Sequence, residues 1–256
     1  MSEQRIPTVV VDNVHINYRI TLGSKVSSAA GALRSLVGGR SPNQVVKNVH
    51  AVRGVSLIAY EGDVIGLIGR NGSGKSSLLR AIAGLQRLQS GEIYTAGRAS
   101  LLGVRAALNK SISGQRNITL GGLAMGMSRE GINVSGDSII EFADLEEFIE
   151  MPMGTYSSGM QARLRFAIAA SRSHDIMLVD EALSTGDTEF RRRSQEKIRE
   201  LAGHAGTVFL VTHGHAMIKE VCNRAIWMDK GSIKMDGSVE NVLAAYDADI
   251  EAKKKN

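Results

Sequence analysis

The 256-residue sequence contains one cysteine, few aromatic residues and no long apolar run. Cys222 has no partner for an internal disulfide, and apolar neighbours such as Val221 and Ile226 favour a buried structural thiol in a cytosolic chain. The longest apolar stretches, for example 176–179 and 208–211, are far shorter than the roughly 18 residues of a spanning helix. The N-terminus shows no basic region followed by an apolar core, so we expect no secretory signal. We therefore expect any role at a membrane to be peripheral.

The low aromatic content and the distribution of charge argue against a nucleic-acid partner. The formal net charge is +5, but Lys253, Lys254 and Lys255 supply three of these charges close to the C-terminus. Aromatic residues make up 4% of the chain, so side chains that would stack on single-stranded bases are scarce. We therefore expect no binding to nucleic acid.

The pattern of apolar segments predicts an α/β protein with an inserted helical lobe. Residues 8–11 and 14–18 are predicted to form strands at the edge of a sheet. Apolar segments of strand length follow at 64–68, 176–179 and 208–211. Helical sequence lies between these segments, which predicts a parallel sheet covered on both faces. The segment 101–157 interrupts the alternation with mostly helical sequence and indicates the lobe.

Residues 21–44 are rich in Gly, Ser and Ala and predict an insertion in the first part of the core. Ala29, Leu33, Leu36 and Val37 recur at helical spacing, as in a short amphipathic helix near a membrane or a partner. A loosely packed surface loop explains the segment equally well, and both interpretations stay open. The predicted domain boundaries are 1–98 and 166–247 for the core, 99–165 for the lobe, and 248–256 for a frayed polar tail.

Residues 69–76 match the full G-x-x-x-x-G-K-[ST] phosphate loop and lie between a predicted strand and a predicted helix. The glycines let backbone N–H groups turn toward a β-phosphate, and the helix adds its positive end. Lys75 is predicted to neutralise β- and γ-phosphate oxygens, and Ser76 to bind Mg²⁺. The agreement of spacing and flanks favours this interpretation over a glycine-rich turn that matches by chance. The predicted ATP contacts in this segment are Gly69, Arg70, Asn71, Gly72, Ser73, Gly74, Lys75, Ser76 and Ser77.

Two carboxylates, Asp180 and Glu181, follow the predicted buried strand 176–179 directly. Open α/β sheets bind their ligands at this end of their strands. Asp180 is placed to hold Mg²⁺ through its water shell, and Glu181 to orient or deprotonate the attacking water. Adjacent acids are common on protein surfaces, but after a buried strand and alongside a phosphate loop they indicate a site that hydrolyses ATP.

Residues 156–161, Tyr-Ser-Ser-Gly-Met-Gln, stand directly before a predicted helix. This segment resembles the signature of ATP-binding-cassette proteins and is especially similar to the Tyr-Ser-Ser-Gly-Met form of polysaccharide-exporter ATPases. The resemblance implies that Ser158 donates a hydroxyl hydrogen bond and that Gly159 allows close approach, with the helix N-terminus aimed at a γ-phosphate. In isolation the same segment would be an ordinary helix cap.

The resemblance continues in order through nearly the whole chain and implies the cassette fold, a RecA-like P-loop core with an antiparallel β edge and a helical subdomain. Residues 183–187 look like the loop that crosses between subunits, which implies that Asp187 lies at the nucleotide. Residues 211–215 look like the switch segment. His213 is the implied contact to the γ-phosphate, whereas His215 fits a helix start.

Three further segments are matched less completely. Tyr18 resembles the aromatic residue that stacks on adenine, with His50 as the alternative. Residues 113–118 resemble a Thr-Gly-Arg-Glu-Asn-Ile stretch common in these exporters. The glutamine that many cassette ATPases place between core and lobe is not evident at 102–107, where Gly103-Val104-Arg105 stand, so its role stays unassigned.

The resemblance implies a homodimer that closes head to tail around two ATP molecules with Mg²⁺. Each ATP would lie between residues 69–77 of one chain and Ser158-Gly159 of the other, and hydrolysis would reopen the dimer. The motion would pass to a separate membrane permease docked on the lobe. The chain would then act at the cytoplasmic face of the plasma membrane and power export of a lipid-linked polysaccharide, with the glycan contacted only indirectly. Because the sequence ends soon after the cassette, we expect no carbohydrate-binding domain.

Other classes of ATPase compete with this interpretation. The cassette ATPase of a drug or lipid exporter would share the whole ATP site. A soluble cassette that acts on nucleic acid or ribosomes would bind nucleic acid in a salt-sensitive way. A P-loop kinase would need an acceptor site and would leave residues 156–160 and His213 unexplained.

Overall fold

The computed structural model describes residues 5–22, 45–102, 108–172, 174–180, 188–203, 205–212 and 214–254. The strands are β1 (Pro7–Leu22), β2 (Val45–Tyr60), β3 (Val64–Ile68), β4 (Ser90–Thr95), β5 (Ala99–Leu101), β6 (Ile176–Val179), β7 (Thr207–Val211), β8 (Arg224–Asp229) and β9 (Ser232–Gly237). The α-helices are α1 (Lys75–Ile82), α2 (Gly114–Ala124), α3 (Arg129–Ala143), α4 (Ser158–Ala170), α5 (Thr188–Ala202), α6 (His215–Val221) and α7 (Val239–Lys254), and a short 3₁₀ helix spans Met153–Thr155.

The core is a six-stranded sheet in the order β5-β6-β7-β3-β8-β9. The first five strands of this order run parallel, and β9 returns antiparallel to β8. Every residue of β6 and β7 is buried, as expected for strands covered on both faces. The α/β prediction is confirmed. The carboxyl ends of the parallel strands meet at one edge of the sheet, which brings the phosphate loop and Asp180 together.

A second, three-stranded antiparallel sheet in the order β2-β1-β4 forms the predicted β edge. The long β1–β2 pair runs from Pro7 opposite Tyr60 to Leu22 opposite Val45. The strands therefore extend beyond the expected start of the insertion at Thr21, because continuous pairing satisfies the backbone groups of the hairpin arms. Residues 23–44, which include the predicted amphipathic positions, lie outside the described residues.

The helical lobe consists of α2, α3 and the first part of α4. Serine side chains cap all three helices, with Ser113, Ser128 and Ser157 accepting from backbone N–H groups in the first turn. Helix α4 connects the lobe to the core. Leu164 and Ile168 pack against apolar residues of the lobe, whereas Phe166, Ala169 and Ala170 pack against apolar residues of the core sheet and α5. Strand β5 pairs with β6, so residues 99–101 lie in the core sheet, whereas the sequence analysis assigned them to the lobe.

Helix α7 continues to Lys254, so the segment from residue 248 is helical, whereas the sequence predicted a frayed tail there. The helix is held by ion pairs from Asp249 to Lys234 on β9 and to Lys253 one turn further along. Ile250 also packs against the buried cluster under the helix. Apolar contact and charge pairing offset the polar composition on which the prediction depended. Within the described part of the chain, no helix combines the length and the apolar character needed to cross a membrane.

Candidate nucleotide site

The phosphate loop connects the buried strand β3 to α1, and two of its glycines are required by the backbone around them. Gly69 has φ of 141°, and a Cβ atom there would lie 2.2 Å from the carbonyl oxygen of Met228 on β8. Gly74 has φ of 104°, and a Cβ atom there would lie 2.4 Å from the carbonyl oxygen of Ala51 on β2. Any larger side chain at either position would clash, so packing against β2 and β8 fixes the shape of the loop.

Lys75 is the first residue of α1 and curls back over the loop. Its Nζ atom donates hydrogen bonds to the carbonyl oxygens of Gly69 at 2.6 Å and Arg70 at 3.2 Å. The lysine is buried, so its charge lies inside the cradle. Residues 71–77 and Val211 line an open cleft of about 200 Å³ beside it. This cleft, with a cation and a helix N-terminus at its base, fits a chain of phosphates.

Ser76, which lines the cleft, forms a hydrogen bond with Asp180. The Ser76 hydroxyl donates to Asp180 Oδ1 over 3.0 Å, and Asp180 is buried at the carboxyl end of β6. A hydroxyl and a carboxylate oxygen form the hard-oxygen donor set that Mg²⁺ prefers. Ser73 Oγ is buried in the loop and has no hydrogen-bond partner among the described residues. The donors present therefore fit a magnesium-bound phosphate.

Three predicted site residues, Glu181, Asp187 and His213, lie outside the described residues. Their chain neighbours are described: Asp180 directly follows β6, and Thr212 directly follows the adjacent strand β7. The Thr212 hydroxyl accepts a hydrogen bond from the backbone N–H of Gly214 at 3.1 Å. The carboxyl ends of β6 and β7 thus come together beside the phosphate loop, which follows β3 on the other side of β7.

Tyr18 lies on β1 beside the beginning of α1. Its hydroxyl oxygen is 3.1 Å from Ser77 Oγ and 3.2 Å from Gln86 Oε1. The contact with Ser77 brings the predicted adenine-stacking residue next to the predicted loop contacts. His50, the alternative, faces another residue: its ring stacks on that of His15 with centroids 5.3 Å apart.

The signature segment begins α4. Ser157 is the N-cap and accepts from the backbone N–H of Met160 at 3.1 Å, which leaves Ser158 exposed in the first turn. Tyr156 is buried and donates to the Phe148 carbonyl at 2.7 Å, which fixes the entry into the helix. A Cβ atom at Gly159 would meet only Ser157 Oγ, at 3.8 Å. Packing among the described residues therefore gives no reason for glycine at position 159.

The sequence did not predict a structural role for Asn117, whose side chain fixes the loop that leads into the lobe. This fully buried side chain donates to the carbonyls of Asn109, Ile112 and Ser113, and its Oδ1 accepts from the backbone N–H of Asn109 at 2.7 Å. It closes the loop 109–113 onto α2. The signal available in the sequence was the resemblance of residues 113–118 to the Thr-Gly-Arg-Glu-Asn-Ile stretch, in which Asn117 is matched.

Burial shifts the pKa values of two side chains that lie outside the cleft. Burial lowers the pKa of the His174 imidazole, and the bond to the Ala169 carbonyl opposes that effect. His174 Nε2 lies 2.9 Å from that carbonyl oxygen, so Nε2 carries the ring proton. Burial raises the pKa of the Cys222 thiol to about 12. Thiolate is therefore scarce at neutral pH, as expected for a structural cysteine.

Residues 52–184 match the family profile described as ABC transporter. The chain is 42% identical to the teichoic acids export ATP-binding protein TagH of Staphylococcus epidermidis, over 84% of this chain and 81% of that protein. It is 38% identical to TagH of Lactococcus lactis, over 89% of this chain and 48% of that protein. It is 35% identical to the O-antigen export system ATP-binding protein RfbB of Myxococcus xanthus, over 96% of this chain and 56% of that protein. The chain thus spans most of the staphylococcal protein and about half of the other two.

Solved structures share the fold at low sequence identity. An ATP-binding cassette solved as a dimer in a post-hydrolysis state with ADP and Pi superposes with a TM-score of 0.68 at 20% identity, over 90% of this chain and 98% of that one. An ATP-binding subunit of an ABC transporter gives a TM-score of 0.70 at 17% identity, over 93% of each chain. These likenesses agree with the core sheet, β edge and helical lobe described above.

Proposed function

Because this chain belongs to the ABC transporter family of ATP-binding domains, we propose that it is the ATP-hydrolysing subunit of a machine that exports a lipid-linked polysaccharide. The observation that carries the ATPase assignment is the contact between Ser76 and Asp180 at 3.0 Å beside the phosphate loop. The proposal for the cargo draws on the relatives, which are named as ATP-binding proteins for export of teichoic acids and O-antigen.

The proposed chemistry is hydrolysis of the γ-phosphate of Mg²⁺-bound ATP. Lys75 would neutralise the β- and γ-phosphate oxygens, and Ser76 and Asp180 would hold the metal ion. When bound, Mg²⁺ offsets the charge that develops on the transferred phosphoryl group. Glu181 orients or deprotonates the attacking water, and His213 contacts the γ-phosphate. Tyr18 stacks on the adenine, as proposed from its position next to Ser77.

We propose that two copies of the chain enclose two ATP molecules head to tail. Gly159 supports this arrangement, because an added Cβ there would meet only Ser157 Oγ, at 3.8 Å, among the described residues. Gly159 also lies beside the exposed Ser158 at a helix N-terminus. The residues that line the described cleft come from the phosphate loop, α1 and β7, and the signature segment is not among them. The signature of a second chain would complete the site, with Asp187 in the loop that crosses between subunits.

A separate permease in the plasma membrane is the proposed partner. It would dock on the lobe formed by α2, α3 and the start of α4, at the cytoplasmic face of the membrane. Closing and reopening of the ATPase dimer would then drive the permease between its two states. The glycan would cross through the permease and touch the ATPase only indirectly.

Inside-out membrane vesicles from the native bacterium provide a test. Vesicles with wild-type protein and Mg²⁺-ATP should move radiolabelled lipid-linked glycan into the lumen, where a membrane-impermeant glycosidase no longer digests it. Vesicles with Glu181→Gln protein should protect far less glycan. Protection that is independent of ATP, or ATP-driven movement of a lipid without glycan, would contradict the proposed cargo.

A further inference from the structure

Helix α7 lies beside two segments at the carboxyl edge of the core sheet. Its buried residue Tyr246 packs in a cluster with Ile68 at the end of β3 and Ile218 on α6. Ile68 directly precedes the phosphate loop, and α6 begins two residues after position 213. The Tyr246 side chain is therefore packed between β3, which leads into the phosphate loop, and α6, which begins just after position 213.

The first contact of Tyr246 leads to the phosphate loop. Its ring meets the edge of Trp227 with centroids 5.4 Å apart at 79°. Trp227 on β8 is paired with Ile68. The next residue of β8, Met228, presents the carbonyl oxygen that packs against Gly69. The Lys234 Nζ atom lies 3.9 Å from the Trp227 ring centroid and forms an ion pair with Asp249 of α7. These two contacts hold the indole in place.

The cleft beside this contact has a volume of about 460 Å³ and joins α7 directly to the loop. It is lined by Arg70 and Asn71 of the phosphate loop and by Tyr246, Ile250 and Lys253 of α7. Burial raises the pKa of the Tyr246 hydroxyl, and the positive charge of Arg70 acts in the opposite direction, which reflects how near the two side chains are.

The second contact leads to the segment after β7. The His215 ring meets Tyr246 with centroids 5.9 Å apart at 64°. His215 Nδ1 also lies 3.6 Å from Asp247 Oδ1, on the next residue of the same helix. His215 is the first residue of α6, so these contacts fix the point where the chain leaves the segment 212–214.

We infer that Tyr246 is a positioning residue for ATP hydrolysis. Through Trp227 it braces the base of the phosphate loop. Through His215 it holds the chain that follows position 213 at a set distance from that loop. The inference rests on the proposed function, in which residue 213 contacts the γ-phosphate bound by the loop. Tyr246 does not line the phosphate-loop cleft, so we infer that it acts through these two neighbours.

The test is the steady-state ATPase activity of the full chain with Tyr246→Leu, which keeps apolar volume under α7 but removes the aromatic ring. We expect kcat to fall about three- to ten-fold, because the loss of an aromatic ring pair has an effect of this size. The KM for ATP should change less than about two-fold. Tyr246→Phe keeps the ring and should restore kcat. Tyr94→Ala, which removes an exposed tyrosine from β4, is the matched control and should behave as wild type.

His215→Ala extends the test at a side chain that is 36% exposed, where truncation leaves no core cavity. If both residues act through one contact, the double variant with Tyr246→Leu should lose no more activity than Tyr246→Leu alone. If Tyr246→Leu folds poorly, His215→Ala alone still tests the inference, because it must lower kcat in an otherwise wild-type chain.

An unchanged kcat in both single variants, with wild type active, would overturn this inference and leave the proposed function intact. Multiplicative losses in the double variant would also overturn it. A wild-type chain with no Mg²⁺-dependent ATPase activity would instead overturn the proposed function, and this inference with it.

Discussion

Ser76 donates a hydrogen bond to Asp180 over 3.0 Å although 104 positions separate the two residues in the sequence. The contact forms because β3 and β6 run parallel in one sheet with β7 between them, so their carboxyl ends share one edge. Ser76 rises from the phosphate loop and Asp180 from the end of β6, and they meet above the end of β7. Thr212 leaves the sheet at the same place. Three distant segments thus converge on the position that we propose for the phosphates and Mg²⁺.

Lys75→Ala should abolish productive nucleotide binding, because the buried ammonium group is the only lysine charge directed into the cradle among the described residues. Binding of a fluorescent ATP analogue by the purified protein measures this. Lys219→Ala, at an exposed lysine on α6, is the control and should bind as wild type. Binding of the analogue by Lys75→Ala at wild-type affinity would remove Lys75 from the site.

Glu181→Gln should bind ATP but hydrolyse it about a hundredfold or more slowly, because the amide cannot accept a proton from water. ATP should then trap the closed dimer, which sedimentation in the presence of Mg²⁺-ATP would detect as a doubled mass. Turnover at the wild-type rate would show that Glu181 is not the catalytic carboxylate.

Tyr18→Ala should weaken ATP binding about five-fold or more, because it removes the proposed stacking on adenine. Tyr18→Phe retains the ring and loses only the hydroxyl contacts with Ser77 and Gln86, so its affinity should stay within about two-fold of wild type. Isothermal titration with a non-hydrolysable ATP analogue distinguishes the two. Equal losses in both variants would assign Tyr18 a role through its hydroxyl.

Gly159→Ala should leave folding of the chain intact but impair assembly of the ATP-bound dimer. Nothing in the described chain lies closer than 3.8 Å to the added methyl group, and alanine favours helix, so the thermal midpoint should hold or rise by the equivalent of up to about 1 kcal/mol. ATP-driven dimerisation and hydrolysis should fall, because the methyl group would meet the second chain or its ATP.

Gly136→Ala is the matched control for this prediction. Gly136 lies in α3, and an added Cβ there also meets nothing within 4 Å. This variant should keep both stability and hydrolysis. Full ATPase activity in Gly159→Ala would argue against the head-to-tail arrangement.

Stability should fall on acidification through His174. Burial lowers the pKa of this imidazole, so the unfolded chain binds its proton more readily than the folded one. The stabilising effect of keeping His174 neutral is fully present above the unfolded pKa of about 6.5 and is lost as the pH falls toward the folded value. Thermal midpoints at pH 7.5 and 5.5 should therefore differ more in wild type than in His174→Gln. Equal acid sensitivity would assign the loss to other groups.

The phosphate loop and the position of Asp180 after a buried strand were predictable because each is a short covalent pattern beside that strand. The apolar runs at β3, β6 and β7 fixed the period and the order of elements without any tertiary information. The helical lobe followed in the same way from its length and its break in the alternation of strands.

Features that depend on pairing and packing were not predictable in this way. The contact of Tyr18 with Ser77 depends on the register of β1 against its neighbours. The helical character of residues 248–254 depends on Ile250 reaching the cluster under α7 and on charge pairs with Asp249. Lys234, one of the two partners of Asp249, lies 15 residues away on another element, and the polar composition of the segment pointed the other way.

The most direct test of the export proposal is depletion of this protein from its native bacterium, followed by measurement of radiolabelled lipid-linked glycans by membrane leaflet and by size. We predict that full-length glycan accumulates on the cytoplasmic leaflet, and that wild-type protein, but not Lys75→Ala, restores its export. An unchanged leaflet distribution of glycan, with another small molecule retained in the cell, would contradict polysaccharide export while leaving the ATPase and its dimer in place.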